Sequence, residues 1–361
     1  MKIKVLLISN MYPSSLHPNY GIFVRNFENG IIENSGIVHK AVIKGSGKNI
    51  IQKILKYIKL FFDVYISLCI NKYDVIYVHY AEHSLIPLLP IKFLLKNTLV
   101  VNAHGDDILY NSLISKLVAP IIKKADLLVV PSEYFFDIAK KKNLNNHIFI
   151  SPSGGIDTSI FGQFNLKKDI SIFTIGYVSR IDEGKGWDTL LLAIYDLKKH
   201  IKVKFKVIII GGGAQENELK KMVEQLQLQN DVEFFGIIPH KELGNHYNTF
   251  DLFVFPTRLS ESLGLVGIEA MACGLPVIGS NIGGLKGYIR NGYNGFIFEA
   301  GNNKELTIYL EKFISLDDYE KKFYCKNALT TARDYDSKLI NKILYDRLEK
   351  LLQRSDENSC I

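Results

Sequence analysis

Two basic side chains lie in the segment Gly176–Asp188 (GYVSRIDEGKGWD), between a strand-like run and a helical stretch. Arg180 and Lys185 are the cations, and Gly184 and Gly186 let the backbone turn beside the lysine. Two cations at the carboxyl edge of a sheet, close to a helix N-terminus, favour a diphosphate group through charge and the helix dipole. A solvated basic loop is the alternative interpretation, because such loops are common.

Two carboxylates follow in the segment Phe255–Gly274 (FPTRLSESLGLVGIEAMACG). Glu261 lies in a loop that opens a helix, and Glu269 comes eight residues later, about two turns on and on a similar face. A carboxylate within the apolar run LVGIEAMACG needs a partner, because burying an unpaired charge is costly. Paired ribose hydroxyls would provide one. Backbone amides are the alternative.

Glycines follow two of the predicted strands in the second half of the chain. Gly279–Leu285 (GSNIGGL) places two glycines where the backbone could approach a ligand, and Gly211–Gly213 follows an earlier strand. The triple glycine is a weak signal by itself, because many α/β proteins have one.

The first half of the chain contains candidate site residues with weaker signals. Gly21 ends the long loop of Tyr12–Arg25 at a helix start, where backbone amides could meet a phosphate. His104, in NAHGDDI, lies at the carboxyl end of a predicted strand, although a lone histidine is more often structural. His79 and His83, in HYAEH, are weaker candidates for contact with an acceptor.

Short apolar runs alternate with amphipathic helical stretches along nearly the whole chain. The predicted strands are Ile3–Ser9, Val38–Ile43, Asp74–His79, Leu99–Ala103, Leu127–Val130, Ile148–Ile150, Ile172–Val178, Lys206–Ile210, Val232–Phe235, Leu252–Phe255, Pro276–Gly279 and Gly295–Phe298. Helices are expected between them, for example at Phe23–Asn34, Trp187–Lys199 and Glu216–Gln227, and throughout the chain after Asn302. Continuous apolar strands alternating with helices predict parallel sheets covered on both faces.

A length of 361 residues favours two domains. The pattern fades around residues 158–168, where we place the linker. We therefore predict two doubly wound α/β domains, over residues 1–160 and 169–334, and a C-terminal helix over residues 335–361 that crosses back to the first domain. Two such sheets should face each other across a cleft at the carboxyl ends of their strands.

Composition places the chain among ordinary globular proteins, with 47% hydrophobic and 22% charged residues. MKIKVLL has no secretory leader pattern. The four cysteines form no C-x-x-C pair, which suits a reducing cytoplasm with Cys69 and Cys273 as core residues. The apolar stretch Ile54–Ile70 contains charged residues and is shorter than the roughly 20 residues of a membrane span, so we expect an amphipathic helix packed in a domain.

Charge is unevenly distributed. Residues 1–160 contain 18 Lys+Arg and 11 Asp+Glu, a net charge of +7, whereas the remaining residues contain 26 of each. Chance placement on solvated helices explains this as well as a functional role does. The functional hypothesis is contact with an anionic membrane surface or acceptor through Lys53, Lys56, Lys59 and the run of lysines at 140–142. Nucleic acid is disfavoured, because no binding module accompanies the basic residues.

Together these segments resemble the retaining GT-B glycosyltransferases of family 4, also called glycosyl transferases group 1. The resemblance runs in order through the glycine loop near Gly21, HGDD, SPSGGIDTSIF, GYVSRIDEGKGWDTLLLA, IIIGGG, VEFFGIIP and DLFVFPTRLSESLGLVGIEAMACGLPVIGSNIGG. The two glutamates eight residues apart, with PVIGS and a double glycine after them, are highly specific for this family.

The resemblance implies a role for each candidate. Arg180 and Lys185 would hold the donor diphosphate without a metal, Glu269 the ribose and Glu261 the donor sugar. His104 would orient the sugar near the reacting carbon. Gly21 and the backbone amides of the segment Leu263, Gly264, Leu265 and Val266 would approach phosphate and sugar. No cofactor is expected, since the nucleotide-sugar is itself a substrate.

Some residues depart from the family pattern. Gly154 stands where the family has asparagine, and Lys286 and Gly287 follow the double glycine where Pro-Glu is frequent. The second departure places a contact from that glutamate in doubt. Asp334-Tyr335-Asp336 spells the Asp-x-Asp of metal-dependent glycosyltransferases, but it lies in the helical tail, and we predict no metal there.

The resulting hypothesis is a hexosyltransferase that moves a sugar, from a UDP-sugar rather than a GDP-sugar, to a lipid-linked saccharide at the cytoplasmic membrane face. Synthesis of an O-antigen, lipopolysaccharide or capsule is the expected setting. A nucleotide-sugar 2-epimerase of the same fold is the nearest alternative. A Rossmann oxidoreductase lacks its glycine motif in SNMYP, and a non-catalytic binding subunit would not need Arg180, Lys185 and both glutamates.

Overall fold

The structure is a computed structural model of the 361-residue chain. It describes residues 2–17, 20–45, 47, 49–92, 95–110, 112–164 and 171–359. The chain divides into two compact units. Unit 1 comprises Met1–Gly155 and Ser337–Ile361, and unit 2 comprises Ile156–Asp336. Each contains a six-stranded parallel sheet among its described residues, which confirms the predicted α/β class with two doubly wound domains.

Unit 1 alternates strands with helices. Its strands are β1 (Lys4–Tyr12), β2 (Ile37–Lys44), β3 (Val75–His79), β4 (Thr98–Asn102), β5 (Leu127–Val130) and β6 (Ile148–Ile150). Its helices are α1 (Ile22–Glu33), α2 (Ile50–Ile70), α3 (Asp106–Leu109), α4 (Leu113–Lys124), α5 (Glu133–Lys141) and α12 (Ser337–Ser359), with a 3-10 segment at His83–Ile91. The sheet order is β2-β1-β3-β4-β5-β6, so the winding reverses between β1 and β3.

The sheet of unit 1 is buried on both faces because its strands are apolar at consecutive positions. On one face, strand residues such as Leu6 and Val78 pack with α2, α4 and α5. On the other, residues such as Val5 and Tyr77 pack with α1 and with the C-terminal helix α12. Asn49 caps α2 by accepting a hydrogen bond from the Gln52 N–H at 2.9 Å.

Unit 2 repeats the alternation. Its strands are β7 (Phe173–Val178), β8 (Phe205–Ile210), β9 (Val232–Gly236), β10 (Leu252–Phe255), β11 (Val277–Ser280) and β12 (Gly295–Phe298). Its helices are α6 (Trp187–His200), α7 (Glu216–Gln225), α8 (Leu243–Tyr247), α9 (Leu265–Ala272), α10 (Asn303–Ile314) and α11 (Asp318–Arg333). The sheet order β12-β11-β10-β7-β8-β9 is that of a dinucleotide-binding fold, and its winding reverses between β7 and β10.

The predicted strands agree with the observed ones within three residues at each end, and the three helices predicted by range agree within two. The chain after Asn302 is helical, as predicted. One interpretation was wrong, because Cys69 is exposed rather than buried, whereas Cys273 is buried as expected. The stretch Ile54–Ile70 is helical and packs on unit 1 through Leu60 and Val64, the buried residues of α2.

The linker region differs from the expectation as well. Phe161, within the proposed linker, is 1% exposed and belongs to the core of unit 2. The division between the units comes earlier, after Gly155. Residues 165–168 of the proposed linker lie outside the described residues.

Candidate active site

The loops that follow β7 and β10 meet in unit 2, because these two strands are neighbours at the point where the winding reverses. Such a point leaves a crevice at the carboxyl ends of the strands, where ligands bind in open α/β sheets. The loop after β7 contains Arg180 and Lys185, and the loop after β10 contains Glu261. The fold therefore brings Glu261 to Lys185, which lies 76 residues earlier in the sequence, and Arg180 lies in the same loop as Lys185.

Lys185 and Glu261 form an ion pair. The Lys185 Nζ lies 2.7 Å from the Glu261 Oε1, and the two side chains are 12% and 17% exposed. Thr257 donates its hydroxyl to the same Oε1 at 3.0 Å. The sequence predicted both residues but not this contact, and it did not single out Thr257. The pair forms a polar, mostly buried cluster whose charges balance.

Arg180 is the exposed cation of the site. Its side chain is 70% exposed, and its Nη1 lies 2.8 Å from the Asp182 Oδ2. Asp182 also accepts a hydrogen bond from the Ala214 N–H at 2.9 Å. Exposure and a single carboxylate partner leave Arg180 able to bind an anionic ligand, because exposed ion pairs are weak.

The glycines of unit 2 permit close backbone approaches. Gly186 has φ +78°, and a Cβ there would lie 1.8 Å from the Pro256 carbonyl oxygen. A Cβ on Gly211 would lie 1.7 Å from the Ser179 carbonyl oxygen, next to Arg180. The Gly284 N–H donates to the Glu261 carbonyl at 2.9 Å. These glycines hold the loops that contain Arg180, Lys185 and Glu261.

Glu269 has partners of its own. It lies on α9, is 4% exposed, and its Oε1 lies 2.9 Å from the His240 Nε2. The Tyr247 hydroxyl donates to the Oε2 at 3.3 Å. The predicted partner was ribose or backbone amides, and the structure places a histidine and a tyrosine there. Glu261 lies before α9, so the expected shared helix face does not apply to this pair of glutamates.

His240 is a residue that sequence reasoning missed. The hydrogen bond to Glu269 raises the pKa of His240 above its ordinary value, against the opposing effect of burial. The recognised segment VEFFGIIP ends one residue before it. A histidine directly after that segment was the available signal.

The helix α9 begins after Gly264, which has φ +79°. Leu263, Gly264, Leu265 and Val266 therefore surround its first turn, where backbone N–H groups have no partner within the helix. Gly264 packs closely, since a Cβ there would lie 2.8 Å from the Phe255 ring.

In unit 1, Gly21 immediately precedes α1 and has φ +72°. A Cβ there would lie 2.8 Å from the Met11 carbonyl carbon and 2.9 Å from the Tyr12 backbone nitrogen. The position therefore requires glycine both for its backbone conformation and for its contact with the end of β1.

His79 and His104 contact each other in unit 1. The His79 Nδ1 lies 2.9 Å from the His104 Nε2, and the rings stack with centroids 5.1 Å apart. Burial lowers the pKa of His104 to about 3, and burial together with His104 lowers the pKa of His79. Both rings are therefore neutral at pH 7. His79, a predicted acceptor contact, is only 2% exposed, and its ring contacts the ring of His104.

Asp107 holds the loop that contains His104. Its carboxylate accepts hydrogen bonds from the backbone N–H groups of His104 at 2.9 Å, Gly105 at 2.8 Å and Ala81 at 2.7 Å. Burial raises the pKa of Asp107 to about 6. The segment HGDD contains Asp107, but this role was not predicted for it. The signal was a carboxylate three residues after a candidate histidine.

His83 lies apart from this pair, at the start of the 3-10 segment. Its Nδ1 lies 3.3 Å from the Glu82 Oε2, and its side chain is 38% exposed. Its ring lies 6.2 Å from that of Tyr57 on α2. His83 is therefore the more accessible of the two predicted acceptor contacts.

The two aspartates of the Asp-x-Asp sequence, Asp334 and Asp336, lie at the end of α11 and just after it. Asp334 ends α11, and the Asp336 carboxylate accepts the Thr158 hydroxyl at 2.6 Å. Across the described parts of the chain, no group of three or more His, Cys, Asp or Glu side chains is placed to hold a metal ion. Among the same residues, no helix is long and apolar enough to cross a membrane.

The family emerges from comparison with known proteins. Residues 162–328, which contain the whole cluster around Lys185 and Glu261, match the family described as glycosyl transferases group 1. This stretch of the chain resembles that family. Its glycosyltransferase signature thus covers most of unit 2.

Curated relatives of the chain have names that include glycosyltransferase. The chain is 34% identical to a D-inositol 3-phosphate glycosyltransferase of Corynebacterium jeikeium over 150 residues, which cover 40% of this chain and 36% of that protein. It is 26% identical to an uncharacterized glycosyltransferase of Methanocaldococcus jannaschii, with 88% of this chain and 91% of that protein covered. A putative colanic acid biosynthesis glycosyltransferase of Escherichia coli is 26% identical, with 64% and 58% covered.

Solved structures share the fold of the chain. Sucrose-phosphate synthase from Thermosynechococcus elongatus superposes with a TM-score of 0.80 at 18% identity, with 98% of this chain and 100% of that chain covered. The Anabaena HepE protein in complex with UDP-glucose gives a TM-score of 0.73 at 20% identity, with 96% and 100% covered. These likenesses confirm the GT-B fold. The roles of the individual site residues stay predictions.

Proposed function

We propose that this glycosyltransferase moves a hexose from a UDP-sugar to a saccharide acceptor, with retention of the anomeric configuration. The observation that carries the proposal is the ion pair of Lys185 and Glu261, with Arg180 in the same loop as Lys185, at the point where the unit 2 sheet reverses its winding. Two cations and a carboxylate there suit a ligand that has a diphosphate and a hydroxylated sugar. UDP is favoured because the Anabaena neighbour is described in complex with UDP-glucose.

In this proposal each residue has a distinct role. Lys185 and Arg180 bind the diphosphate and stabilise the negative charge that builds on it as its bond to the anomeric carbon breaks. Glu261, held by Lys185 and Thr257, accepts hydrogen bonds from the sugar hydroxyls. Glu269, oriented by His240 and Tyr247, accepts from the ribose. Protein cations here provide the charge stabilisation that a metal gives in other enzymes.

The family resemblance assigns two further roles to residues of unit 1. Gly21, at the start of α1, would contact phosphate, and His104, held by Asp107 and His79, would orient the sugar. The acceptor hydroxyl forms the new bond to the anomeric carbon, and its proton leaves with the nucleoside diphosphate. We propose a lipid-linked saccharide as acceptor and surface polysaccharide assembly (an O-antigen, a lipopolysaccharide or a capsule) as the setting. The name of the Escherichia coli relative in colanic acid biosynthesis supports that setting.

The test is a panel of nucleotide-sugars, with EDTA and with Mg²⁺, read by thermal shift and by release of nucleoside diphosphate. We expect one UDP-sugar to stabilise the protein and to be slowly hydrolysed in EDTA. Lys185→Met and Glu261→Gln should abolish release, whereas Lys322→Met, which changes an exposed lysine of α11, should not. A panel in which no donor or nucleotide binds would refute the proposal.

The same incubation separates transfer from isomerisation. NMR of the product from a productive donor and an acceptor reports the anomeric configuration, and an inverted product would contradict retention. Conversion of the donor alone into its epimer would identify a nucleotide-sugar 2-epimerase instead.

A further inference from the structure

The helix α2 has an apolar face that points to solvent. Its exposed side chains include eight large apolar residues: Ile50, Ile51, Ile54, Leu55, Ile58, Phe62, Ile66 and Ile70. Phe62 is 59% exposed and Leu55 is 58% exposed. At 100° per residue these positions form one continuous stripe along the 21-residue helix. None of the described residues covers this stripe, which we call the α2 stripe.

The α2 stripe lies opposite the face by which the helix packs on its own sheet. Leu60 and Val64 are the buried residues of α2, and they contact the core of unit 1. A helix that is apolar on both faces is ordinarily buried on both. An exposed apolar stripe several turns long marks a surface that binds a protein or a membrane.

Charge favours a membrane rather than a protein. Unit 1 contains 23 Lys+Arg and 14 Asp+Glu, a net charge of +9, whereas unit 2 contains 21 and 23, a net charge of −2. Lys56 and Lys59 lie on α2 at one margin of the stripe, where the Lys56 ammonium donates to the Lys44 and Gly45 carbonyls and Lys59 pairs with Asp63. An apolar face with lysines at its margin is the pattern of a helix that lies in the interface of an anionic membrane.

The position of α2 relates it to the candidate site of unit 1. The Tyr57 hydroxyl accepts a hydrogen bond from the Asn10 Nδ2 at 3.2 Å, and its ring lies 6.2 Å from that of His83. Asn10 lies near the carboxyl end of β1, whose following loop leads to Gly21. The first half of α2 therefore lies at the same edge of the sheet as the predicted acceptor contact His83.

We propose that α2 is a membrane-docking helix, which lies parallel to an anionic lipid surface with the α2 stripe among the acyl chains. Lys59, whose side chain is 73% exposed, contacts lipid phosphates. Docking then holds the carboxyl edge of the unit 1 sheet at the lipid surface, where a lipid-linked saccharide would present its sugar. The docking does not depend on the proposed transfer reaction, so either can fail without the other.

The first experiment is co-sedimentation of the full chain with vesicles of phosphatidylcholine, with and without phosphatidylglycerol. We expect binding to the anionic vesicles, weakened by high salt. The double variant Ile58→Ser/Phe62→Ser should bind about tenfold to a hundredfold more weakly, because the two lost apolar side chains together contribute about 1.4–2.8 kcal/mol. Ile308→Ser/Phe323→Ser is the matched control on unit 2, at residues 60% and 47% exposed, and should bind like the wild type.

A second readout keeps the test decisive if the serine variant folds poorly. Phe62→Trp places an indole in the α2 stripe, and the single native tryptophan, Trp187, is 7% exposed in unit 2. Brominated lipids should quench the new fluorescence and leave Trp187 unaffected. Absence of quenching, or equal binding by wild type and serine variant, would overturn the proposal. So would an oligomer in size-exclusion chromatography that the serine variant dissociates without any vesicle binding, because the stripe would then be a protein interface.

Discussion

The Lys185 ammonium lies 2.7 Å from the Glu261 carboxylate, and the two side chains meet at the reversal point of the unit 2 sheet. Each residue therefore holds the other in position before a ligand is present. A diphosphate that binds Lys185 shares a cation already oriented by Glu261, so little side-chain entropy remains to be lost on binding. The pairing also makes the two residues dependent on each other for stability.

This dependence predicts a non-additive pair of substitutions. Lys185→Met and Glu261→Gln should each lower the free energy of unfolding by about 2 kcal/mol, because each leaves a mostly buried charge unpaired. The double variant should lose less than the sum of the two. Chemical denaturation measures all three. All three should release nucleoside diphosphate at least about 100-fold more slowly than wild type. Additive stability losses would show that the ion pair is energetically unimportant.

Gly21→Ala should destabilise unit 1 more than a positive φ alone explains. The substitution adds both an unfavourable backbone conformation and a contact at 2.8 Å with the Met11 carbonyl carbon. Gly236→Ala is the matched control, because Gly236 has φ +71° and nothing within 4 Å of its Cβ position. We expect a loss of about 1 kcal/mol for the control and about 3 kcal/mol for Gly21→Ala, measured by thermal unfolding. Equal losses would contradict the close approach.

The buried carboxyl of Asp107 predicts a pH dependence of unit 1. Burial raises its pKa to about 6 from an ordinary value of 3.8, so the folded state binds this proton more tightly than the unfolded state does. The stability contribution of Asp107 is therefore largest below pH 4 and falls as the pH rises towards 6, by about 3 kcal/mol. Comparison with Asp107→Asn across that range isolates the effect. A difference that grows with pH would show that the three N–H donors keep the carboxylate ionised in the folded state.

The ion pair of His240 with Glu269 predicts a pH dependence of stability in unit 2. Its pKa is raised by the hydrogen bond to Glu269, so the contribution of the charged pair is fully present below about pH 6.5. It is lost as the pH rises through the folded-state pKa of His240. His240→Asn should cost about 1 kcal/mol at pH 6 and less at pH 9, in thermal unfolding across pH.

His246 is the matched control for that experiment. Burial lowers its pKa, so the wild type should gain stability relative to His246→Asn as the pH rises. The two histidines should thus show opposite pH trends. A His240→Asn cost that does not change between pH 6 and pH 9 would show that Glu269 does not hold a proton on His240.

Much of the fold could be predicted because parallel strands buried on both faces appear as continuous apolar runs. Runs such as Leu127–Val130 were therefore placed without error. The contact between Lys185 and Glu261 could not be predicted in the same way. The two residues are 76 positions apart, and their loops meet because β10 lies beside β7, which depends on the sheet order.

Other misses have a related cause. The partner of Glu269 is His240, which begins a short 3-10 segment (His240–Glu242) 29 residues earlier and lies outside any periodic pattern. The hydropathy of α2 indicated an amphipathic helix but not which apolar face is buried, because Leu60 and Phe62 are equally apolar in sequence. The sequence thus predicted the residue types of the site and the positions of the strands. Which side chains contact each other, and which face of a helix is exposed, depends on the tertiary packing of the chain.

The division of the chain has a consequence for its synthesis. The sheet of unit 1 is covered on one face by α12, whose Leu344, Tyr345 and Leu348 are buried against strands made from the first 150 residues. Those strands leave the ribosome long before α12 does. The apolar face that α12 covers therefore stays exposed while all of unit 2 is translated. Unit 2 is continuous in sequence and can fold as soon as it emerges. Unit 1 is therefore translated first but completes its folding last. During that interval it is the part of the nascent chain most prone to aggregate and to bind chaperones.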